Sequence, residues 1–115
     1  MIASIDMAGV KYTIDETTRK YIMQKIGRLD RYLPRHARKS VTADVKLKLV
    51  NEDHENKYET EILLNVPDKV LTSKITAANV FTSIDVAESK ILAQLHKYKE
   101  ATILHVGRRR LFSKR

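Results

Sequence analysis

The alternation of apolar and polar positions defines most of the chain. From residue 41 to 50, Val41, Ala43, Val45, Leu47 and Leu49 point one way and Thr42, Asp44, Lys46 and Lys48 the other. A period of two is that of a half-buried strand. Residues 57 to 66 repeat it, with Tyr58, Thr60, Ile62, Leu64 and Val66 inward against Glu59, Glu61 and Asn65. The polar segment Asn51 to Asn56 between these runs predicts an antiparallel hairpin. Val66-Pro67-Asp68-Lys69 reads as a second turn, followed by a strand at about 69–76. Residues 2–9 read as a short first strand ending near Gly9.

Two stretches carry the helical period instead. In residues 15–33, Ile22, Ile26, Leu29 and Leu33 are spaced 4, 3 and 4, which makes one apolar stripe. Asp15 is placed to cap that helix and Pro34 to stop it. A second helix is predicted over about residues 79–100; Ala77, Val80, Phe81, Ile84, Ala87, Ile91, Leu95 and Tyr98 fall on one face, and Gly107 is expected to break the pattern. The order β-α-β-β-β-α, with one apolar sheet face and one apolar stripe per helix, predicts an α+β fold. It is a two-layer sandwich: a four-stranded sheet with both helices on one face. A domain over residues 1–105 would be followed by a basic C-terminal tail over 106–115.

Composition adds limits. The 115 residues fit one domain. There is no Cys, which excludes disulfides, thiolate metal sites and Cys nucleophiles and suits a reducing compartment. No apolar run approaches the roughly 18 residues of a membrane span, so no membrane partner is expected. The start, Met-Ile-Ala-Ser-Ile-Asp, lacks the basic, then apolar, pattern of a signal peptide. The expected location is the cytoplasm.

Charge gives the first functional direction. The net charge is +8. Residues 51 to 68 hold six acids against one base, a local −5, which leaves +13 for the rest. On the first helix, Lys20, Gln24, Arg28 and Arg31 lie opposite the core stripe, with Lys25, Tyr21 and Tyr32 flanking them. On the second, Ser83, Lys90, Gln94 and Lys97 form a stripe expected to face solvent. Lys99 and the run Arg108, Arg109 and Arg110 lie beyond it. Helices side by side would merge these rows into one cationic surface. Such a surface suits a phosphate backbone, because each contact releases condensed counterions. A basic loop, Arg35 to Ser40, adds to it.

Catalysis finds no support. His36, His54, His96 and His105 lack metal-ligand spacing. There is no Gly-rich phosphate loop and no nucleophile elbow. Glu88 falls near the apolar side of the second helix, where a lone carboxylate pairs with a neighbouring base. Glu59 and Glu61 sit on one strand face without the cleft a glycosidase pair needs. No cofactor, metal or small-molecule substrate is expected.

The segment Asn79-Val-Phe-Thr-Ser-Ile-Asp-Val-Ala-Glu-Ser-Lys-Ile-Leu-Ala-Gln-Leu-His-Lys-Tyr-Lys99 resembles the signature helix of the bacterial ribosome hibernation promoting factor family. That family is also called ribosome-associated inhibitor A, or sigma-54 modulation protein. Phe81, Ile84, Asp85, Lys90, Ile91, Gln94, Leu95, Lys97 and Lys99 carry the likeness. Met7-Ala-Gly9, Tyr12-Thr-Ile14, Arg19, Tyr21-Ile22, Lys25-Ile26, Arg28-Leu29 and Tyr32 extend it over about residues 5 to 100. The resemblance implies a double-stranded-RNA-binding-like fold. It also implies docking on the small ribosomal subunit and whole ribosomes, where 16S-type rRNA lines the mRNA path and the A and P sites, and a block to translation in stationary phase or stress. Lys25, Arg28, Lys90, Gln94, Lys97 and Lys99 are the positions it assigns to rRNA. Asn79 replaces the family's usual Asp, Phe81 its usual Tyr, and Ala93 a common Arg, which removes one phosphate contact that Arg31 and the tail would replace. The expectation is the short form, in which ribosome pairing would need a separate dimerising factor. Two other readings remain at this point: a generic double-stranded-RNA binder and a transcription-modulating protein-interaction module.

Overall fold

The computed structural model describes residues 4–33, 40–52, 55–67 and 69–113, with the backbone alone described for residues 52 and 100–113. The strands are β1 (Ser4–Val10), β2 (Thr42–Glu52), β3 (Glu55–Val66) and β4 (Lys69–Ala77). The helices are α1 (Glu16–Gly27), continued by a 3₁₀ turn over Arg28–Tyr32, and α2 (Val80–Ser113). The sheet runs in the order β1-β2-β3-β4. β1 pairs parallel with β2, and the other pairs are antiparallel. A parallel pair needs a crossover, which α1 supplies.

Register turns the alternation into a core. Met7, Val45, Ile62 and Ser73 are successive partners across the four strands, as are Ile5, Ala43, Leu64 and Leu71. One face therefore buries Val41, Ala43, Val45, Leu47, Ile62, Leu64 and Leu71. Ile22, Ile26, Leu29 and Leu33 from the first helical segment, and Ile84, Ala87, Ile91, Leu95 and Tyr98 from α2, join them in a single cluster. Both helices thus lie on the same face, as expected. The other face carries Asp44, Lys46, Lys48, Glu59, Glu61 and Lys74, with Lys46 opposite Glu61 and Lys48 opposite Glu59.

The helix ends follow local chemistry. Asp15 caps α1: its carboxylate accepts the Thr18 N–H at 2.8 Å. Hydrogen bonding to Thr18 holds the Asp15 carboxyl below its ordinary 3.8. Asn79 caps α2 in the same way, accepting the Phe81 N–H at 2.8 Å and the Thr82 N–H at 3.3 Å. Asn and Asp cap about equally well, so the exchange at position 79 leaves the helix start intact.

Four expectations change. The first helix was expected unbroken to residue 33, but the α-helix ends at Gly27, where the Arg28 N–H is shared between the Gln24 and Ile26 carbonyls and the coil tightens. The apolar stripe survives because its residues still face the sheet. The hairpin strands run further than predicted, to Glu52 and from Glu55, so the turn is shorter. α2 does not stop near residue 100 but passes through Gly107 to Ser113. One Gly costs a helix only about 1 kcal/mol, and Leu104, the three arginines and Leu111 around it favour the helix. Ser83 is buried, not solvent-facing. It sits about 20° nearer the core stripe than Lys90, and its hydroxyl donates to the Val80 carbonyl at 2.7 Å while accepting from Thr60 at 2.6 Å. The basic loop, the stop at Pro34, the hairpin tip at 53–54 and Asp68 lie outside the described residues.

Two glycines predict opposite outcomes in urea unfolding. A Cβ on Gly9 would fall 2.0 Å from the Tyr12 carbonyl oxygen, where the chain turns back through Lys11 at φ 55°. Gly9→Ala should cost about 2 kcal/mol or more. Gly27 has helical angles, and a Cβ there meets nothing within 4 Å. Gly27→Ala should raise stability by about 0.5–1 kcal/mol. Asp15 gives a pH test. Its cap contributes stability above the ordinary 3.8, lost as pH falls through the lowered native value. Asp15→Asn should keep the cap and flatten that acid limb.

Candidate nucleic-acid interface

The faces of α1 and α2 that meet are polar and aromatic. The Tyr21 hydroxyl donates to the Asp85 carboxylate. Lys25 Nζ lies 3.2 Å from the same carboxylate and 5.4 Å from the Tyr21 ring centre. The Tyr21 ring meets Phe81 edge-on at 4.9 Å. One turn along, Arg28 Nη2 lies 3.3 and 3.4 Å from the two oxygens of Glu88, which is 6% exposed. Tyr32 meets His96 edge-on at 5.3 Å. Glu88 is therefore paired with a base, as its place on α2 predicted. Burial, then the bond to Asp85, pushes the Tyr21 hydroxyl up to about 12.

Around this seam the cations divide into two rows. Lys20 and Arg31 are exposed on the α1 side. Lys90 and Lys97 are exposed on the opposite flank of α2. Gln94 fixes that flank: its amide nitrogen donates to the Thr72 carbonyl at 2.6 Å, and its oxygen accepts the Thr72 N–H at 3.3 Å. It thereby occupies backbone groups on the edge strand β4, and Lys90 and Lys97, four before and three after it, share its side of the helix. The rows do not merge. The outward ridge of α2 lies between them, bearing Val86, Ser89 and Ala93. Lys25 and Arg28 lie in the seam, each already paired with an acid. Lys99 is half-buried. Arg108, Arg109 and Arg110 lie on the helical backbone beyond Tyr98, their side chains outside the described residues.

The acids of the hairpin stay apart. Glu59 and Glu61 project from the open sheet face, away from both helices, and Lys74 Nζ reaches Glu59 at 3.6 Å. The charge separation expected from sequence thus corresponds to two layers, a cationic helix layer and a mixed sheet face. Among the described residues no group of three or more His, Asp or Glu could hold a metal ion. A pocket of about 160 Å³ opens at the seam, lined by Arg28, Leu29, Arg31, Tyr32, Glu88 and Leu92. Neither the pocket nor the Asp85 and Glu88 partnerships could be located from sequence, because their partners are 60 to 64 residues apart.

The seam is testable by pairs. Arg28→Ala leaves the Glu88 carboxylate buried and unpaired and should cost about 1–3 kcal/mol. Arg28→Ala with Glu88→Leu should recover most of that loss, because the second change removes the orphaned charge. Urea melts of the two variants decide this. In a spectrophotometric titration, Tyr21→Phe should remove the tyrosine signal near pH 12. A neutral Tyr21 stabilises the fold below the ordinary 10.0, and that contribution is lost as pH rises toward its native value.

Known proteins share this sequence and fold. Residues 5–102 match the family described as Sigma 54 modulation protein / S30EA ribosomal protein. The chain is 31% identical over 94 residues to a ribosome hibernation promotion factor of Lactococcus lactis, covering 82% of this chain and 48% of that one. A factor of the same name from Deinococcus radiodurans is 30% identical over 93 residues, covering 81% and 47%. The chain spans about half the length of these curated relatives. Two solved structures share the fold. One is the Thermus thermophilus Protein Y N-terminal domain, with TM-score 0.68, 24% identity and coverage of 84% and 97%. The other, described as a ribosomal subunit interface protein from Coxiella burnetii, gives 0.71, 18%, 84% and 98%. The relatives' names denote a ribosome factor and not an enzyme. A match over 5–102, which takes in all four strands and both helical segments of the cationic layer, places this chain in the sigma 54 modulation protein / S30EA ribosomal protein family.

Proposed function

We propose that this chain is a ribosome hibernation factor. It binds rRNA of the small subunit in the channel for mRNA and the A- and P-site tRNAs, and blocks translation in stationary phase or stress. It acts in the cytoplasm, where ribosomes are. The observation that carries the reading is family membership joined to a helix layer that presents lysine and arginine while Glu59 and Glu61 face the other way. The relatives' shared name supplies the hibernation role.

The chemistry is binding and exclusion. Lys20, Arg31, Lys90 and Lys97 are free in solvent to meet phosphates, and each contact releases counterions. Lys25 keeps donors beside Asp85 and can bridge to a phosphate, and Arg28 keeps donors beside Glu88 for other groups of the bound RNA. Gln94 supports this surface from the edge strand. Lys99 and the helical extension with Arg108, Arg109 and Arg110 continue the cationic track beyond the domain proper. The block is steric: a rigid α+β domain seated in the channel leaves no space for mRNA or tRNA.

In sucrose gradients of stationary cells the chain should sediment with small subunits or whole ribosomes. Lys90→Glu with Lys97→Glu should abolish that co-sedimentation and leave the melting temperature unchanged. Recovery of the unaltered chain only in ribosome-free fractions would overturn the reading. Against purified small subunits, Lys90→Gln with Lys97→Gln should reduce the slope of log affinity on log salt by about 0.7–0.9 per lost contact. Equal affinity for any long RNA duplex would identify a generic double-stranded-RNA binder instead.

A further inference from the structure

The pocket at the α1–α2 seam has a chemistry that phosphate binding does not require. Glu88 lines it, almost fully buried within a surface otherwise suited to a polyanion. A carboxylate there repels phosphate. Its contacts to Arg28, at 3.3 and 3.4 Å, are long for hydrogen bonds. A carboxylate has about four acceptor sites, so Glu88 keeps acceptor capacity. Leu29 and Leu92 supply apolar wall, and Tyr32 and Arg31 supply flat surfaces. Apolar walls around paired acceptors and a neighbouring donor suit a flat, uncharged heterocycle with adjacent N–H groups.

We propose that this pocket takes one unpaired guanine base of the bound RNA, read on its Watson–Crick edge by Glu88 and Arg28. The proposal rests on the RNA-binding reading above and adds base selectivity to it. On that edge guanine presents two neighbouring donors, N1–H and N2–H, beside the acceptor O6. The two oxygens of Glu88 match the donors, and the Arg28 guanidinium beside them matches O6. Adenine sets an acceptor next to its single donor group, facing a carboxylate oxygen. Cytosine and uracil each offer one donor group. Sequence-selective RNA recognition uses unstacked bases laid on aromatic rings or guanidinium planes, which Tyr32 and Arg31 provide.

The test uses the full chain and uridine hexamers carrying one central guanine, inosine or adenine, read by fluorescence anisotropy. The guanine hexamer should bind about tenfold tighter than the adenine one. Inosine lacks the exocyclic amino group and should lose most of that preference. Glu88→Gln exchanges one acceptor for a donor and should erase the preference. Arg31→Ala should weaken all three hexamers and keep their order. Equal or undetectable binding of the three hexamers, with small subunits still bound, overturns the pocket and leaves the hibernation reading standing. Failure to bind small subunits overturns the hibernation reading itself. The inosine comparison alters only the RNA, so a misfolded variant cannot imitate it.

Discussion

Ile84, Ala87, Ile91 and Leu95 are each fully buried against the sheet, and together they fix how α2 is rotated about its axis. Each large residue among them is worth about 1.5–3 kcal/mol when buried, so Ile84, Ile91 and Leu95 contribute roughly 5–9 kcal/mol. Whole domains are stable by only about 5–15 kcal/mol. Turning α2 by one residue would bring Lys90 into the core in place of Ile91, which no exposed interaction could offset. The core therefore decides which cations solvent sees. It also decides that Asp85 and Glu88 face α1, where Tyr21, Lys25 and Arg28 meet them.

That rotation explains why the cationic surface has two parts. A helix has three usable flanks once one is buried. α2 gives one to α1, one to the edge strand β4 through Gln94, and keeps a small-residue ridge outward. Lys90 and Lys97 stand on the β4 flank and Lys20 and Arg31 beyond the seam. Two separated rows suit a partner with several phosphate strands at different heights better than one flat duplex face. The seam between them holds paired charges, so the pocket there favours a base over a phosphate.

The hairpin and the element order were legible in the sequence because a period of two or of 3.6 is a local property. So was the segregation of charge, since Glu59 and Glu61 must point opposite to Thr60 and Ile62. The helix stripes were equally plain. Less visible was whatever depends on how two helices meet. Ser83 shares the sequence spacing of Lys90 and Lys97, yet 20° of rotation and a nearby Thr60 make it a core residue. The two basic rows each follow from their own helix, but their failure to merge follows from how α2 is rotated about its axis between α1 and β4. Glu88 was expected to find a base; that the base is Arg28 required the tertiary register. The helical continuation past Gly107 was hidden because glycine marks many helix ends and forbids none.

On the proposed function, the helix layer and not the sheet face contacts rRNA. Two variants of equal charge change isolate that contact: Lys20→Gln with Arg31→Gln on the helix layer, and Lys46→Gln with Lys48→Gln on the open sheet face. Equilibrium affinity for purified small subunits at fixed salt should fall at least tenfold for the first pair and stay within about twofold for the second. Equal losses for both pairs would show that only net charge matters, and would contradict the account.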